Sequence, residues 1–316
     1  MLYFIVNPDS GGGRGYQVWK NLERKLENKK IEYRAFLTAA PGDAVSIAEK
    51  FTVPDSLPKP EETDGLMKII AVGGDGTINE VLNGLHLSDR IVLGFIPTGS
   101  GNDLAKGLKL SPSPAKCLKR ILHPAEIRKI DYGILSYGDG CMEHRRFLNS
   151  AGAGFDANVN RDIRKSSLKQ HLALLNMQKL SYFFAGAKEF IRYKPVKGYL
   201  ILENVKKIEF NHIFFTSFHI HPTEGGGYRF APKADDADGE LTCCIVHNHS
   251  KKQVARILAS SIFGNHLKYA GVRSYNFTEA KIHTDEPVYV HTDGEICGCF
   301  TDIEVQCAKQ QLKFIF

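Results

Sequence analysis

Along the first 130 residues, short apolar runs alternate with stretches whose apolar positions recur every three or four residues. "LYFIV", "IEYRAFLT", "KIIAV" and "RIVLGFIP" are too short for surface helices and are bounded by turn-forming or charged residues, which predicts strands. "GYQVWKNLERKLENK", "GDAVSIAEKF", "TINEVLNGL" and "NDLAKGL" predict the intervening helices. In the first of them Val18, Leu22 and Leu26 form one stripe with charges opposite, as a helix packed on a sheet requires. This alternation predicts an α/β domain with a mostly parallel sheet over residues 1–130. Beyond Ile130 the texture changes. "RRFLNSAG", "GYLILEN", "HIFFTSFHI", "ELTCCIV", "KIHTD", "PVYVHTDG" and "DIEVQCA" read as strands joined by glycine and aspartate turns, a mainly antiparallel β domain over residues 131–305. "MQKLSYFFAGAKEFIRY" and "SKKQVARILASSIFG" interrupt it as helices. The final "QLKFIF" reads as a strand, so the tail from about residue 306 to 316 is expected to return to the first domain. Thr52 to Gly65, rich in proline and acid, reads as a solvated loop to which no role is assigned.

Composition narrows the classes. A chain of 316 residues with 43% apolar content can bury two cores. No apolar run is long enough to span a bilayer, and the N-terminus passes from a short strand into a loop, unlike a signal peptide, so a cytoplasmic protein is expected. The seven cysteines form no C-x-x-C pair and are expected to be reduced and mostly buried. The net charge of +6 comes from scattered residues rather than a basic tract. It gives little support to nucleic-acid binding and suits ATP or an anionic membrane surface.

The candidate chemistry sits at turns. "NPDSGGGRG", "GGDGT" and "PTGSGND" fall where strands of the α/β sheet end and helices begin, the position at which open α/β sheets bind ligands. Glycines there let a phosphate approach backbone N–H groups at the positive end of a helix dipole. Thr77 to Glu80 and Ser100 to Asp103 both have capping-box spacing, which predicts Thr77 and Ser100 as helix caps. Neither G-x-x-x-x-G-K-[ST] nor a complete G-x-G-x-x-G is present, since Asn79 and Leu104 occupy the third-glycine positions. Phosphate would therefore be held by backbone and metal, with Asp75 and Asp103 as carboxylates near a Mg²⁺.

"NPDSGGGRG", "GGDGTINEVLNGL", "GFIPTGSGNDLA", "NSAGAGFDA", "GGGYRFAPKADDADGEL" and "TDGE", in this order, resemble the bacterial diacylglycerol kinase family of soluble lipid kinases. The resemblance runs through nearly the whole chain. It implies a Rossmann-like α/β nucleotide domain completed by the C-terminal tail, and a β-sandwich lipid domain, with ATP and Mg²⁺ as cofactors. It places ATP phosphates on Gly73, Gly74, Gly76 and Thr77, and adenine-side contacts near Asn7, Ser10, Gly99, Ser100, Gly101 and Asn102. It implies a hydrated Mg²⁺ network on Asp75, Asp103 and Asp131, a structural metal at Asp238, and Asp293 as general base with Glu295 close by. The partners it implies are a lipid substrate reached peripherally at an anionic membrane surface and a second copy of the chain. The reaction would belong to phospholipid metabolism. "GGDGT" is shared with NAD kinases, so a nucleotide kinase and a non-catalytic lipid- or nucleotide-binding protein are the alternatives. The segment "SFHIHPTE" departs from the family in lacking the usual asparagine, and "GSGND" has serine where threonine is commoner.

Plainer readings accompany these assignments. A capping box accounts for Glu80, a tight turn for Gly225 to Gly227, and a solvated acidic turn for "ADDADGEL", which fails the calcium-loop pattern at Ala234 and Ile245. His219 with His221, and His247 with His249, each share a strand face and are expected to be ordinary surface histidines. For Asp293 the plain reading is a hairpin turn.

Overall fold

The computed structural model describes residues 1–57, 65–165, 186–225 and 227–316. Half of the Thr52 to Gly65 loop, much of the helix expected over "MQKLSYFFAGAKEFIRY", and Gly226 lie outside the described residues. The chain divides into two compact units, Met1–Ile130 with Gln310–Phe316, and Asp131–Lys309.

In the first unit β1 (Leu2–Val6), β2 (Tyr33–Leu37), β3 (Met67–Gly73) and β4 (Ile91–Pro97) pair in parallel, with α1 (Arg14–Asn28), α2 (Asp43–Thr52) and α3 (Asp75–Gly84) between them. α4 (Asp103–Gly107), α5 (Pro114–Leu122) and β5 (Ile127–Ile130) follow. The sheet runs β2-β1-β3-β4, then the chain's last strand Leu312–Ile315, then β5. That last strand is parallel to β4 and antiparallel to β5. β1, β3 and β4 are buried along almost their whole length, which is why they read as continuous apolar runs. Phe4, Trp19, Leu22, Leu26, Val72 and Ile96 build the core, with Leu118 and Ile121 of α5 joining it. From β1 the chain turns outward to β2, whereas β3 leads the other way to β4. The winding therefore reverses between β1 and β3, and the turns leaving their C-terminal ends open where such sheets take ligands.

In the second unit all pairing is antiparallel. Its strands are β6 (Gly133–Tyr137), β7 (Glu143–Phe147), β8 (Ser150–Gly154), β9 (Val196–Leu202), β10 (Lys206–His219), β11 (Leu241–His247), β12 (Val272–Phe277), β13 (Glu279–Thr292) and β14 (Glu295–Cys307). They run in the order β12-β11-β10-β8-β13-β14-β6-β7, with β9 pairing both β10 and β13. The long β10 and β13 each serve β9 with one half and β8 with the other, shifting register between Phe210 and Ile213 and between His283 and Val288. "KIHTD" and "PVYVHTDG" thus belong to one strand, while "RRFLNSAG" splits into β7 and β8. Among the described residues its helices are α6 (Phe155–Lys165), residues 186–192, and α7 (Lys251–Ser261), the last closed by a Ser250–Gln253 capping box. Phe155, Tyr193, Phe214, Phe215, Phe230 and Ile257 form this unit's aromatic-rich core.

Among the described residues no helix is long and apolar enough to cross a membrane. All seven cysteines are free, and Cys117, Cys243, Cys244 and Cys307 are buried.

Candidate functional site

Side chains lock the turns after β1, β3 and β4 together. Asn7 Nδ2 donates to Thr77 Oγ1 at 3.1 Å, Ser10 Oγ lies 2.6 Å from Thr98 Oγ1, and Ser10 Oγ donates to the Asn7 carbonyl at 2.9 Å. The N–H groups of Thr98 and Gly99 both donate to the Gly73 carbonyl, at 2.7 and 3.2 Å. Two bare backbones abut here, since a Cβ added to Gly99 would lie 2.7 Å from Gly74 Cα. Any side chain at 99 would separate the second and third turns. Gly11 has φ +62 and points its missing Cβ at the Thr98 carbonyl, so the first turn also depends on glycine.

Helix starts differ from the expectation. α3 begins at Asp75, after an extended Gly74, with the N–H groups of Thr77 and Ile78 donating to the Gly74 carbonyl. Thr77 is therefore inside the helix, and neither it nor Glu80 caps it. The two glycines let the chain turn early, and the buried Thr77 hydroxyl serves Asn7 instead. α4 likewise begins at Asp103 after Asn102 at φ 51, and Ser100 does not cap it. Asn102 Nδ2 ties back to the Gly99 carbonyl at 2.8 Å. Gly74, Asp75 and Gly76 thus form the entry to α3, the end at which a helix favours anions.

Asp75 and Asp103 face the same stretch of bare backbone. A Cβ on Gly101 would lie 3.2 Å from Asp75 Oδ2 and 3.8 Å from Asp103 Oδ2. Asp75 Oδ1 also accepts the Leu104 N–H at 3.2 Å, and Asp103 Oδ1 pairs with Lys106 Nζ at 2.9 Å. Two carboxylates beside the bare Gly101 backbone suit a hard, hydrated cation such as Mg²⁺.

Asp131 belongs to the second unit, where it is buried and joined to the turn holding Asp238. Its Oδ2 accepts the Gly239 N–H at 2.8 Å, and its own N–H donates to the Asp236 carbonyl at 2.7 Å. Asp238 Oδ1 accepts the Glu240 N–H at 2.9 Å. Burial, reinforced by the charges of Asp131, Asp238 and Glu240, pushes the Cys307 thiol up to about 12.

Asp293 sits between β13 and β14 at φ 49, the left-handed conformation of a tight hairpin turn. Its carboxylate reaches across to the break between β7 and β8. Oδ2 accepts the Leu148 N–H at 2.9 Å, and Oδ1 accepts those of Asn149 at 2.9 Å and Ser150 at 3.0 Å. Glu295 opens β14 opposite Thr292. The hairpin reading is therefore satisfied by the turn itself, while the carboxylate makes contacts that a turn alone does not need.

His219 and His221 are buried, not surface residues. β10 ends at His219 and is buried on both faces there, with His221 just beyond the strand, which the near-continuous apolar run "IFFTSFHI" signals better than its period of two. His219 Nε2 lies 2.8 Å from Ser217 Oγ and 3.7 Å from Glu224 Oε2. Burial, with His291, His266 and His221 nearby, pushes its pKa down to about 3 and keeps it neutral. Asp156, Glu224 and His291, which the sequence reading did not single out, converge in the same interior.

Residues 1–135 match the diacylglycerol kinase catalytic domain, and residues 149–316 match the YegS C-terminal NAD kinase beta sandwich-like domain. The chain belongs to the diacylglycerol kinase-like family of lipid kinases. This lipid kinase is 30% identical to the Bacillus subtilis (strain 168) protein named "Putative lipid kinase YtlR", over 94% of this chain and 93% of that one. It is 26% identical to a diacylglycerol kinase of the same strain, over 93% and 89% of the two chains. A crystal structure of a diacylglycerol kinase from Bacillus anthracis str. Sterne covers all of the lipid kinase at a TM-score of 0.69 and 19% identity, with 96% of that chain covered, a likeness of fold.

Proposed function

We propose that this lipid kinase transfers the γ-phosphoryl group of ATP to a hydroxyl of diacylglycerol or a related lipid, giving phosphatidic acid or its analogue and ADP. The observation that carries the reading is the interlocked set of turns after β1, β3 and β4, with Asp75 and Asp103 both beside the bare Gly101 backbone. In this reading the backbone of Gly73, Gly74 and Gly76 with Thr77 holds the phosphates, and Asn7, Ser10 and Gly99 to Asn102 hold the adenine side. Asp75 and Asp103 would hold Mg²⁺, which supplies charge neutralisation on the phosphate oxygens. Asp238 is the candidate ligand for a second, structural ion, with Asp131 fixing its turn. Asp293 accepts the proton of the lipid hydroxyl, and Glu295 stands nearby in sequence. Because phosphoryl transfer needs little covalent help, positioning by these turns supplies much of the rate.

Labelled ATP with mixed micelles of diacylglycerol, phosphatidylglycerol, a polyprenol and a sphingoid base tests the reaction directly. Label is expected in the diacylglycerol-like product. ATP binding without transfer to any of the four would replace the kinase with a binding protein. A net charge of +6 without a membrane-crossing helix among the described residues also predicts reversible binding to anionic vesicles that weakens with salt. Equal recovery on neutral and anionic vesicles at low salt would remove the electrostatic part of that expectation.

A further inference from the structure

His291, on β13, is fully buried, and its two ring nitrogens face different partners. Nδ1 accepts the Gly294 N–H at 3.2 Å. Nε2 lies 3.1 Å from Asp156 Oδ2 and 3.4 Å from Glu224 Oε1. With Nδ1 accepting, the neutral ring carries its proton on Nε2, where two carboxylates receive it. The surroundings are built around this arrangement. Asp156 comes from the first turn of α6 and Glu224 from the segment after β10, while Gly152 of β8 pairs with His291 in register. A Cβ at Gly152 would collide with the Asp156 carboxylate and lie 2.6 Å from His291 Nε2, so the pair fills space that only glycine leaves open.

Asp156, Glu224 and His291 place their ligating atoms within 4.8 Å of one another, a spacing that a divalent metal could also bridge. The Gly294 hydrogen bond decides between the two readings. A metal would take the Nε2 lone pair and move the ring proton to Nδ1, directly against the Gly294 N–H.

We propose that His291, held by Asp156 and Glu224, is a positioning residue that fixes the Asp293–Gly294 turn, and that a second proton on Nδ1 releases it. The consequence for turnover rests on the reading of Asp293 as proton acceptor. Among the described residues, the ring is faced by Asp156 from α6 and Glu224 from beyond β10, and its charge is felt by His219 of β10 and Asp293 of its own turn. Burial opposes a charged ring. The Asp156 hydrogen bond and the charges of Asp156, Glu224 and Asp293 outweigh it and raise the pKa above the ordinary 6.5. The charged ring therefore accumulates as the pH falls through that raised value, the Gly294 bond is lost, and turnover declines on the acid side.

His291→Gln tests this, because its amide nitrogen replaces Nε2 toward Asp156 and Glu224 but leaves no acceptor for Gly294. In the full chain, the expected result is a kcat lower by roughly 10- to 100-fold with an unchanged KM for ATP, and loss of the acid limb above pH 6.5. Wild-type kcat and pH profile in this variant would overturn the proposal. So would stoichiometric transition metal in the purified wild-type protein that disappears in Glu224→Gln. Nitrogen-15 NMR of the wild-type histidines applies even if the variant does not fold. The neutral His291 ring is expected as the Nε2–H tautomer at alkaline pH, with the Gly294 amide shifting as the ring titrates, and an Nδ1–H tautomer refutes the arrangement. Asp293→Asn distinguishes the two failures. Full turnover in that variant rejects Asp293 as acceptor, while the ring tautomer and the Gly294 shift still report on the turn.

Discussion

Asp75→Ala is expected to lower lipid phosphorylation by at least about 10³-fold while the α/β unit stays folded, with ATP-dependent turnover and thermal denaturation as the paired readouts. Charge stabilisation by a divalent ion is worth several kcal/mol in the transition state, and about 1.36 kcal/mol corresponds to a factor of ten, so loss of one ligand from that network reaches this range. Asp75 has a structural task as well, because its Oδ1 accepts the Leu104 N–H at 3.2 Å and joins the start of α3 to that of α4. Alanine removes both functions. Asp75→Asn separates them, since its amide oxygen can still accept from Leu104 while the carboxylate charge is gone. The asparagine variant is expected to match the wild type in stability and the alanine variant in inactivity. Wild-type turnover in the asparagine variant would exclude Asp75 from the phosphate site.

The readability of this fold follows from which interactions are local. β1, β3 and β4 stand out because burial on both faces makes them almost wholly apolar, broken only by Lys68 in β3, and α1 because Leu22 and Leu26 meet the sheet on one stripe with Trp19 beside them. The glycine clusters mark the correct turns, since Gly11 and Gly99 answer to backbone contacts that exclude any side chain. The helix starts are less legible. Thr77 has the spacing of a cap, yet its hydroxyl is claimed by Asn7, 70 residues away, and the extended Gly74 sets the start of α3 instead. α5 hides behind "SPSP", although Pro114 occupies the first helical turn, where a missing N–H costs nothing. Pro287 makes β13 look like two strands because it falls within the register shift, where no ladder hydrogen bond is required of it. The buried constellation is the least local of all. Asp156 and His291 are 135 positions apart, and no periodicity connects a helix start to a strand end at that separation.

At Asp293 the expected loss is nearly as large, and it has to be separated from a structural cost. Asparagine suits the left-handed φ of 49 as well as aspartate does. It cannot satisfy all three amides, however. One oxygen can keep those of Asn149 and Ser150, but the side-chain NH₂ then confronts the Leu148 N–H that Asp293 Oδ2 accepts at 2.9 Å. An unmet backbone donor of this kind costs about 1–3 kcal/mol, so Asp293→Asn is expected to lower the denaturation midpoint by several degrees. Loss of a general base removes about 10²- to 10⁴-fold of rate, and kcat is expected to fall within that range with ATP affinity unchanged. Destabilisation cannot imitate such a loss. A domain stable by about 5–15 kcal/mol that gives up 3 remains about 95% folded or better, which lowers the measured rate by only a few per cent. Rates taken well below the midpoint therefore distinguish the two effects. Near-normal turnover by folded Asp293→Asn would assign the residue to the β7–β8 junction alone and move the search for the proton acceptor to Glu295, whereas a fall of 10²-fold or more in a folded sample requires the carboxylate in the chemistry.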